Sequence, residues 1–289
     1  MSNFNQLKEE ISELNTISML VGAYQDIASL RMRKVRENVL KNREFIRKLD
    51  EIFEEVRVSY AREFQKLVRE KKVGNAKEIT LLSHNGKTVS VLLSANTGLY
   101  GEIVGSTFRK FMNEVEAGTT EVTIVGRHGL SLFLNEGINR TYSYFDLDDY
   151  NFLPQQLDEI IRHIVQYQEI HVFYGKYVNV LKQTPEMLNV SAEIDVSGKT
   201  ENKRSNYIFE PSLEKILMFF ETQMFASVFD QTVRESQLAK HASRVVAMIQ
   251  AEQNIKERTG KIRLEALRAE HRFMNKKQTN SLVSVYANR

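Results

Sequence analysis

The chain lacks cysteine entirely across its 289 residues. This absence excludes a disulfide framework, a thiolate metal site and a cysteine nucleophile, and it fits a reducing compartment. The first residues show no basic region followed by an apolar core, so we predict no signal peptide. No apolar run approaches the roughly 20 residues that span a bilayer. We therefore expect a soluble protein, which could still dock on a membrane complex.

Helix-breaking residues are scarce at both ends. Residues 1–72 contain Gly22 as their single glycine and residues 212–289 contain Gly260, and neither range includes proline. The three prolines lie in the middle of the chain: Pro154, Pro185 and Pro211. Because proline and glycine are the residues that end helices, each end can form one very long helix.

The net charge of +3 is too small to indicate a nucleic-acid partner by itself. The charge is uneven, however, because residues 234–289 carry twelve Lys or Arg against five Asp or Glu. A basic helix of this kind could bind nucleic acid, acidic lipid or acidic protein loops, and a solvated helix face is the alternative.

The first segment has apolar residues in two columns spaced by seven, one from Phe4 to Tyr60 and one from Leu7 to Val56. A repeat of 3.5 residues keeps one seam facing a partner helix and favours a left-handed supercoil. The columns contain three clearly polar residues: Ser18, Gln25 and Asn42. The seam residues expected to face the partner include Leu14, Val21, Met32, Val35, Val39 and Ile46.

The last segment is expected to supply that partner helix. Pro211 and Ser212 form a helix start. Apolar residues follow at helical spacing: Ile216, Phe220, Met224, Val228, Leu238, Ala242, Val245, Ile249, Ile262, Leu267 and Met274. Since the middle of the chain returns it to its start, an antiparallel pair is the natural arrangement.

The middle alternates between strand and helix patterns. Strands are predicted at 88–95, 121–125 and 169–174, with helices at 108–115, 130–135 and 153–167 between them. This order is typical of a parallel α/β sheet. Residues 187–194 could add a strand, and residues 197–204 form a polar loop. The predicted fold class is α/β: a long antiparallel coiled coil of the N- and C-terminal helices plus a central Rossmann-like α/β domain. The predicted boundaries are 1–73, 74–210 and 211–289.

The motifs of the common active sites are missing. The chain has no GxxxxGK[ST] phosphate loop, and GxGxxG does not follow its first predicted strand. Its six histidines show no paired-ligand spacing. The acidic run 146–149 could bind a cation, but such a run is more often a turn ahead of a helix. We therefore predict no catalytic, cofactor-binding or metal-binding residues and no cofactor.

Six segments, in order along nearly the whole chain, resemble the gamma subunit of F-type rotary ATPases. LSANTGLYG at 93–101 is similar to the family's VSTDRGLCGG, and VGRHG at 125–129 with Phe133 is similar to IGxKGxxFF. VFYGKYV at 172–178 resembles VYNKFV, and YIFEP at 207–211 resembles YxFEP. ASRVVAM at 242–248 with Asn254 resembles AARMxAMxxAxxN. The matches to NT(Q/K)KIT…AASKMRK near the start are Asn15, Thr16, Ala28, Ser29, Arg31, Arg33 and Lys34.

The chain departs from the family's pattern at two places. Ala239 and Lys240 stand where the family usually carries Ser-Glu. The family's terminal RQxxITxEL is poorly kept, and Lys277 and Gln278 match its Arg-Gln only if a gap is allowed. Without the gap those positions are Glu270 and His271. In the family this stretch helps the shaft to grip the catalytic ring.

The resemblance implies the central rotor shaft of a rotary ATPase, a non-catalytic subunit that couples ion flow through the membrane ring to ATP synthesis or hydrolysis. It implies as partners the alpha and beta subunits of the catalytic ring, the epsilon subunit and the membrane c-ring, and no nucleic acid. It implies peripheral association with the cytoplasmic face of the inner (plasma) membrane. Rotor-to-stator contacts would be Arg244, Lys277 and Gln278. For Arg244, the alternative is an ordinary exposed helix arginine.

Other interpretations stay open on the sequence. The altered C-terminus leaves room for the shaft of a sodium-pumping or non-energy-converting F-like ATPase. The basic last helix is the single feature that supports a coiled-coil scaffold or a nucleic-acid clamp. An enzyme with an α/β domain is disfavoured by the missing motifs.

Overall fold

A computed structural model describes residues 2–59, 78–79, 85–190, 194–195 and 213–287. The helices in these ranges are α1 (Ser2–Ser59), α2 (Ile103–Ala117), α3 (Arg127–Asn135), α4 (Pro154–Ile164) and α5 (Leu213–Ala287). The strands are β1 (Glu78–Ile79), β2 (Thr88–Leu93), β3 (Glu121–Val125), β4 (Tyr142–Phe145), β5 (Glu169–Tyr177), β6 (Gln183–Asn189) and β7 (Ile194–Asp195).

The chain divides into two compact units. One unit combines Met1–Leu30 with Arg244–Arg289, and the other is Arg31–Ser243. Both long helices contribute residues to both units. The domain boundaries predicted at 73–74 and 210–211, the polar loop predicted at 197–204 and the helix start predicted at 211–212 lie outside the described residues.

The heptad columns of α1 follow its burial. Between Phe4 and Leu49, every residue in the two columns is buried or half-buried, and most of the remaining positions are exposed. Among the predicted seam residues, Leu14, Val35 and Val39 are buried. The others are half-buried: Val21, Met32 and Ile46. A stripe with this spacing is what a helix needs to pack along a partner.

Helix α5 is that partner, and it runs antiparallel to α1 in each unit. In the first unit, Arg258 forms an ion pair of 2.7 Å with Glu10. In the second unit, Val35 and Val39 pack with Leu238. The amide of Asn42, a polar seam position, donates to Gln231 Oε1 at 3.3 Å. Because a polar seam residue that finds its partner favours one register, Asn42 helps to align the two helices. The predicted antiparallel coiled coil is confirmed.

The apolar spacing predicted for α5 is partly wrong toward its C-terminus. Ile249, Leu267 and Met274 are exposed, whereas Met248 and Ala266 are buried. Where two apolar residues are adjacent, spacing alone does not decide which of them faces the partner. From Glu270 to Val283 all side chains are exposed. No helix in the described parts of the chain has the length and apolarity to cross a membrane.

The sheet has the strand order β4–β3–β2–β5–β6. Strands β4, β3, β2 and β5 are parallel, and β6 pairs antiparallel with β5. The predicted parallel α/β sheet is therefore confirmed. β4 was not predicted, and β6 begins four residues before the strand expected at 187–194. The short strands β1 and β7 pair with each other, and β1 was not predicted.

Helices cover both faces of the sheet. On one face, Phe111 of α2 and Phe133 of α3 pack with Phe173 of β5. On the other face, Ile160 of α4 and Phe229 of α5 lie in one hydrophobic core with residues of the strands. The beginning of α5 is thus a layer of the α/β domain as well as part of the coiled coil.

The outer strand β6 carries two features that hinder further strand pairing. It contains Pro185, which has no N–H to donate. The Nζ of Lys110 on α2 donates to the carbonyl of Pro185 at 3.2 Å. A neighbouring strand would have to displace this lysine to use that carbonyl.

Candidate functional site

The loops that follow β2 and β3 are joined by backbone hydrogen bonds. The N–H of Ser94 donates to the carbonyl of Val125 at 2.9 Å, and that of His128 donates to Ala95 at 2.8 Å. The N–H of Arg127 donates to Asn96 Oδ1 at 2.9 Å. Because the two chain segments approach so closely, they form one rigid edge at the carboxyl end of the sheet.

Two glycines permit this close approach. Gly126 has a φ of 102°, and a Cβ there would lie 2.9 Å from the backbone nitrogen and oxygen of Ala95. At Gly129 a Cβ would lie 2.5 Å from Ser94 Cβ. A positive φ favours glycine. Backbone geometry therefore favours glycine at position 126, whereas at position 129 a side chain would collide with that of Ser94.

Asp149 ties this edge to α5. Its Oδ2 accepts from the N–H groups of Asn96 at 2.9 Å and Thr97 at 3.0 Å. Its Oδ1 lies 3.2 Å from Lys240 Nζ on α5, and the same Nζ donates to the carbonyl of Ser94 at 2.7 Å. The two side chains of the ion pair are 2% and 9% exposed, so solvent screens them weakly.

The pKa of Asp149 reflects this environment. Burial alone raises the pKa of the carboxyl group, because it disfavours the charged form. The Lys240 ammonium and the N–H groups of Asn96 and Thr97 lower it by a larger amount together. The net pKa lies below the ordinary value of 3.8, so Asp149 is ionised at neutral pH and opposes the lysine charge.

The next residue, Tyr150, contacts both long helices. The guanidinium carbon of Arg31 on α1 lies 3.3 Å from the centre of its ring. The imidazole of His241 on α5 stacks with it, with ring centres 5.7 Å apart and an angle of 14°. Tyr100 meets the same imidazole edge-on at 6.1 Å. One aromatic side chain of the loop therefore contacts an arginine of α1 and a histidine of α5.

The rest of the acidic run forms a turn. Asp148 Oδ1 accepts from the N–H of Tyr150 at 2.7 Å and of Asn151 at 2.9 Å. Asp146 accepts from the side-chain amide of Asn96. Among the residues that the structure describes, no group of three acidic or histidine side chains could hold a metal ion. The cation that Asp149 meets is Lys240, and the turn interpretation fits this geometry better than an ion site.

The predicted rotor-to-stator residues lie elsewhere on α5, with Arg244 in its first half and Lys277 and Gln278 near its C-terminal end. Arg244 is 4% exposed, so the alternative of an ordinary exposed arginine is wrong. Lys277 and Gln278 are exposed, near the end of the helix. At 1.5 Å per residue, Arg244 and Lys277 are about 50 Å apart along α5. The three residues therefore do not form one site.

The comparisons with known proteins decide the family. The family model described as ATP synthase matches residues 3–270. The chain belongs to the ATP synthase family. The resemblance to the gamma subunit of the F-type enzymes, first seen in the motifs, is confirmed.

Relatives of this ATP synthase chain are similar along most of their length. The ATP synthase gamma chain of Mesoplasma florum is 27% identical over 274 residues, which cover 89% of this chain and 88% of the relative. That of Desulforamulus reducens is 25% identical over 288 residues, which cover 96% and 95%.

Solved structures of ATP synthases share the fold. The rotor of the Euglena gracilis mitochondrial enzyme superposes with a TM-score of 0.63 at 14% identity, over 94% of this chain and 99% of that one. The central stalk of the Tetrahymena thermophila enzyme gives 0.57 at 17% identity, over 80% and 99%. At these identities the likeness shows the fold alone.

The junction around Asp149 was only partly visible in this ATP synthase sequence. Lys240 departs from the family's pattern and the acidic run indicates a turn, but nothing in the sequence pairs them. They are 91 positions apart in the chain. A lysine between Ala239 and His241, in a stretch with few other charges, was the signal that could have pointed to a buried ion pair.

Proposed function

We propose that the chain is the central-stalk rotor subunit, gamma, of an F-type rotary ATPase. It couples ion flow through the membrane ring to ATP synthesis or hydrolysis in the catalytic ring, and it has no active site of its own. The observation that carries the proposal is the family match over residues 3–270, on a chain whose 75-residue α5 joins a sheet layer to a coiled coil.

The physical logic of a shaft suits these elements. A rotor must transmit rotation, and two helices packed along a heptad seam resist twisting better than one. It must also present different faces to the subunits around it. An asymmetric shaft favours a different conformation in each of those subunits, so rotation and nucleotide state become coupled.

The partners of the proposed rotor are the alpha and beta subunits of the catalytic ring, the epsilon subunit and the membrane c-ring. The solved neighbours, a rotor and a central stalk with its c-ring, support this assembly. The chain would then be held at the membrane through the complex, on the cytoplasmic face of the inner (plasma) membrane.

Rotor-to-stator contacts are proposed at Lys277, Gln278 and Arg244. Lys277 and Gln278 are exposed on a stretch of α5 whose side chains all face solvent, so they are available to a surrounding ring. Arg244 is buried in the chain, and a direct contact would require its guanidinium to move outward on its long stem.

The test is reconstitution with the alpha and beta subunits encoded with this chain, and then with the membrane sector. ATP hydrolysis by the assembly should require the chain, and ATP synthesis should follow an imposed ion gradient. Comparison of proton and sodium gradients identifies the ion. The chain alone should hydrolyse no ATP. An assembly that forms and works equally well without the chain contradicts the proposal.

The contact residues are tested separately. Lys277→Glu reverses a charge on the exposed end of α5 and should reduce coupled synthesis several-fold if an acidic surface of the ring meets it. Lys182→Glu makes the same change at an exposed position in the α/β domain and is the matched control. Equal synthesis rates in the two variants would remove Lys277 from the contact. Arg244→Ala is measured in the same assay.

A further inference from the structure

The turn at residues 146–151 contacts both long helices and the carboxyl edge of the sheet at once. We propose that Asp149 and Tyr150 are positioning residues that fasten both helices to the α/β domain, so that rotation applied to the domain reaches the helices without slipping. This inference rests on the proposed rotor function and assigns a role to residues outside the rotor-to-stator contacts.

The first contact is polar and directional. Lys240 donates to the Ser94 carbonyl at the end of β2 and to Asp149 in the turn, and Asp149 in turn holds the N–H groups of Asn96 and Thr97. One ammonium group of α5 is thus bonded to two chain segments of the sheet edge. Hydrogen bonds with a charged partner are stronger than neutral ones, and this ion pair is almost fully buried.

The second contact reaches both helices through one ring. Tyr150 has Arg31 of α1 on its ring and His241 of α5 stacked with it. Because Asp149 and Tyr150 are adjacent, a displacement of either helix would pull on the same short turn. The hydrogen bonds from Tyr150 and Asn151 to Asp148 stiffen that turn.

The place of these contacts in the fold adds to the argument. From β2 the chain adds β3 and β4 on one side and then β5 on the other side, so the strand order reverses between β2 and β5. Open α/β sheets usually bind a ligand at such a point, outside the carboxyl ends of the strands. Here α5 lies against that edge. A Cβ added at Gly175 of β5 would lie 3.5 Å from Ala239 Cβ. The edge where other α/β proteins hold a ligand therefore holds a helix of the chain itself.

Apolar packing alone would not serve this purpose as well. Phe225, Phe229 and Val233 bury α5 against the sheet, but the hydrophobic effect has no direction, so a helix can shift on such a surface at modest cost. A hydrogen bond weakens steeply when its angle changes. The ion pair and the stacked ring next to this apolar surface therefore oppose sliding and rotation of the helix.

The experiment compares four variants in the assembled membrane complex. Lys240→Met removes the ammonium and keeps most of the stem. Asp149→Asn with Lys240→Met removes both charges. Arg31→Met removes the cation from the Tyr150 ring. Lys87→Met is the control, because Lys87 pairs with Glu121 in an exposed ion pair at the amino-terminal edge of the sheet. Thermal stability, ATP hydrolysis and ions pumped per ATP are measured for each.

We expect Lys240→Met to lower both stability and pumping, since it leaves a buried carboxylate without its cation. The double variant should recover stability, because no lone charge remains, while the ions pumped per ATP stay several-fold below the wild-type ratio. Arg31→Met should keep the fold and lower pumping most against a large ion gradient. The control should match the wild type.

The outcomes distinguish failure of the positioning role of Asp149 and Tyr150 from failure of the rotor function. If the double variant and Arg31→Met both pump as many ions per ATP as the wild type, Asp149 and Tyr150 serve stability alone and the inference is wrong. If the wild-type complex itself shows no coupling between hydrolysis and ion transport, the rotor function fails first. Poor folding of Lys240→Met alone does not blur the result, because the double variant and Arg31→Met carry the decision.

Discussion

Gly126 offers the sharpest test of the geometry at the carboxyl edge of the sheet. Gly126→Ala would place a methyl group 2.9 Å from the backbone of Ala95, in a conformation with a φ of 102°. The neighbouring atoms belong to main chain that is hydrogen-bonded on both sides, so they have little freedom to retreat. The substitution therefore forces strain into the glycine's own backbone, into the loop after β2, or into both.

The expected cost follows from these two terms. Holding an alanine in a sparsely populated backbone conformation costs about 1–3 kcal/mol. Overpacking by one methyl group costs about another 1–3 kcal/mol. The free energy of unfolding should therefore fall by about 2–6 kcal/mol. For a unit of this size, 1 kcal/mol corresponds to about 2–4 °C in Tm, so Tm should fall by roughly 4–24 °C.

Gly105 supplies a control for the same change of residue. It lies near the start of α2, and a Cβ there would meet no atom within 4 Å. Because alanine favours helix more than glycine does, Gly105→Ala should raise stability by up to about 1 kcal/mol. Thermal unfolding of both variants, followed by circular dichroism, gives shifts of opposite sign. If Gly126→Ala unfolds within about 1 °C of the wild type, the close approach of the two loops is wrong.

Three further predictions concern the seam, the buried carboxylate of Asp149 and the half-buried carboxylate of Glu235. Val39→Asp should lower the free energy of unfolding by several kcal/mol because it buries an unpaired charge. Leu40→Asp, at the next and exposed position, should change stability little. Equal melting temperatures of the two variants would count against the heptad assignment. Because the folded pKa of Asp149 lies below 3.8, its stabilisation is complete above about pH 4 and is lost as pH falls through the folded pKa. Acid unfolding should therefore be less steep when Asp149→Asn and Lys240→Met are combined, and identical titration curves would refute this. Burial raises the pKa of Glu235 despite Arg43 and Lys176, so its charge destabilises the fold as pH rises through that pKa. Glu235→Gln should then raise the Tm at neutral pH and leave it unchanged in acid, and a lower Tm at neutral pH would show that the ionised carboxylate is needed.

The periodic parts of the fold were predictable from the sequence because they repeat one physical requirement many times. Each heptad of α1 places apolar residues on the same face of the helix. The runs TVSVLL and EVTIV are rich in β-branched and apolar residues, which favours buried strands. β4 escaped prediction because its four residues are half-buried or exposed and alternate weakly. The predicted buried face of α5 was wrong at Ile249, because Met248 and Ile249 are adjacent apolar residues and the spacing did not show which of them is buried.

The candidate junction was less predictable, since it depends on single contacts between residues far apart in the chain. Neither Asp149 nor Lys240 indicates the other in the sequence, and only the packing of α5 on the sheet edge brings them within 3.2 Å. The burial of Arg244 was also not predictable, because a basic residue in a helical stretch suggests exposure and the structure buries it. Sequence periodicity indicates which face of a helix or strand is buried, whereas polar contacts between distant residues become visible only in the folded structure.

The outer edge of β6 also affects how copies of the chain interact before any other subunit binds. A newly made copy has a finished sheet while its final neighbours are still absent, and an open strand edge in that interval invites pairing with a second copy. Pro185 offers no N–H there, and its carbonyl is already taken by Lys110. At the β6 edge, two copies in this state therefore resist pairing with each other before either is incorporated into an ATP synthase.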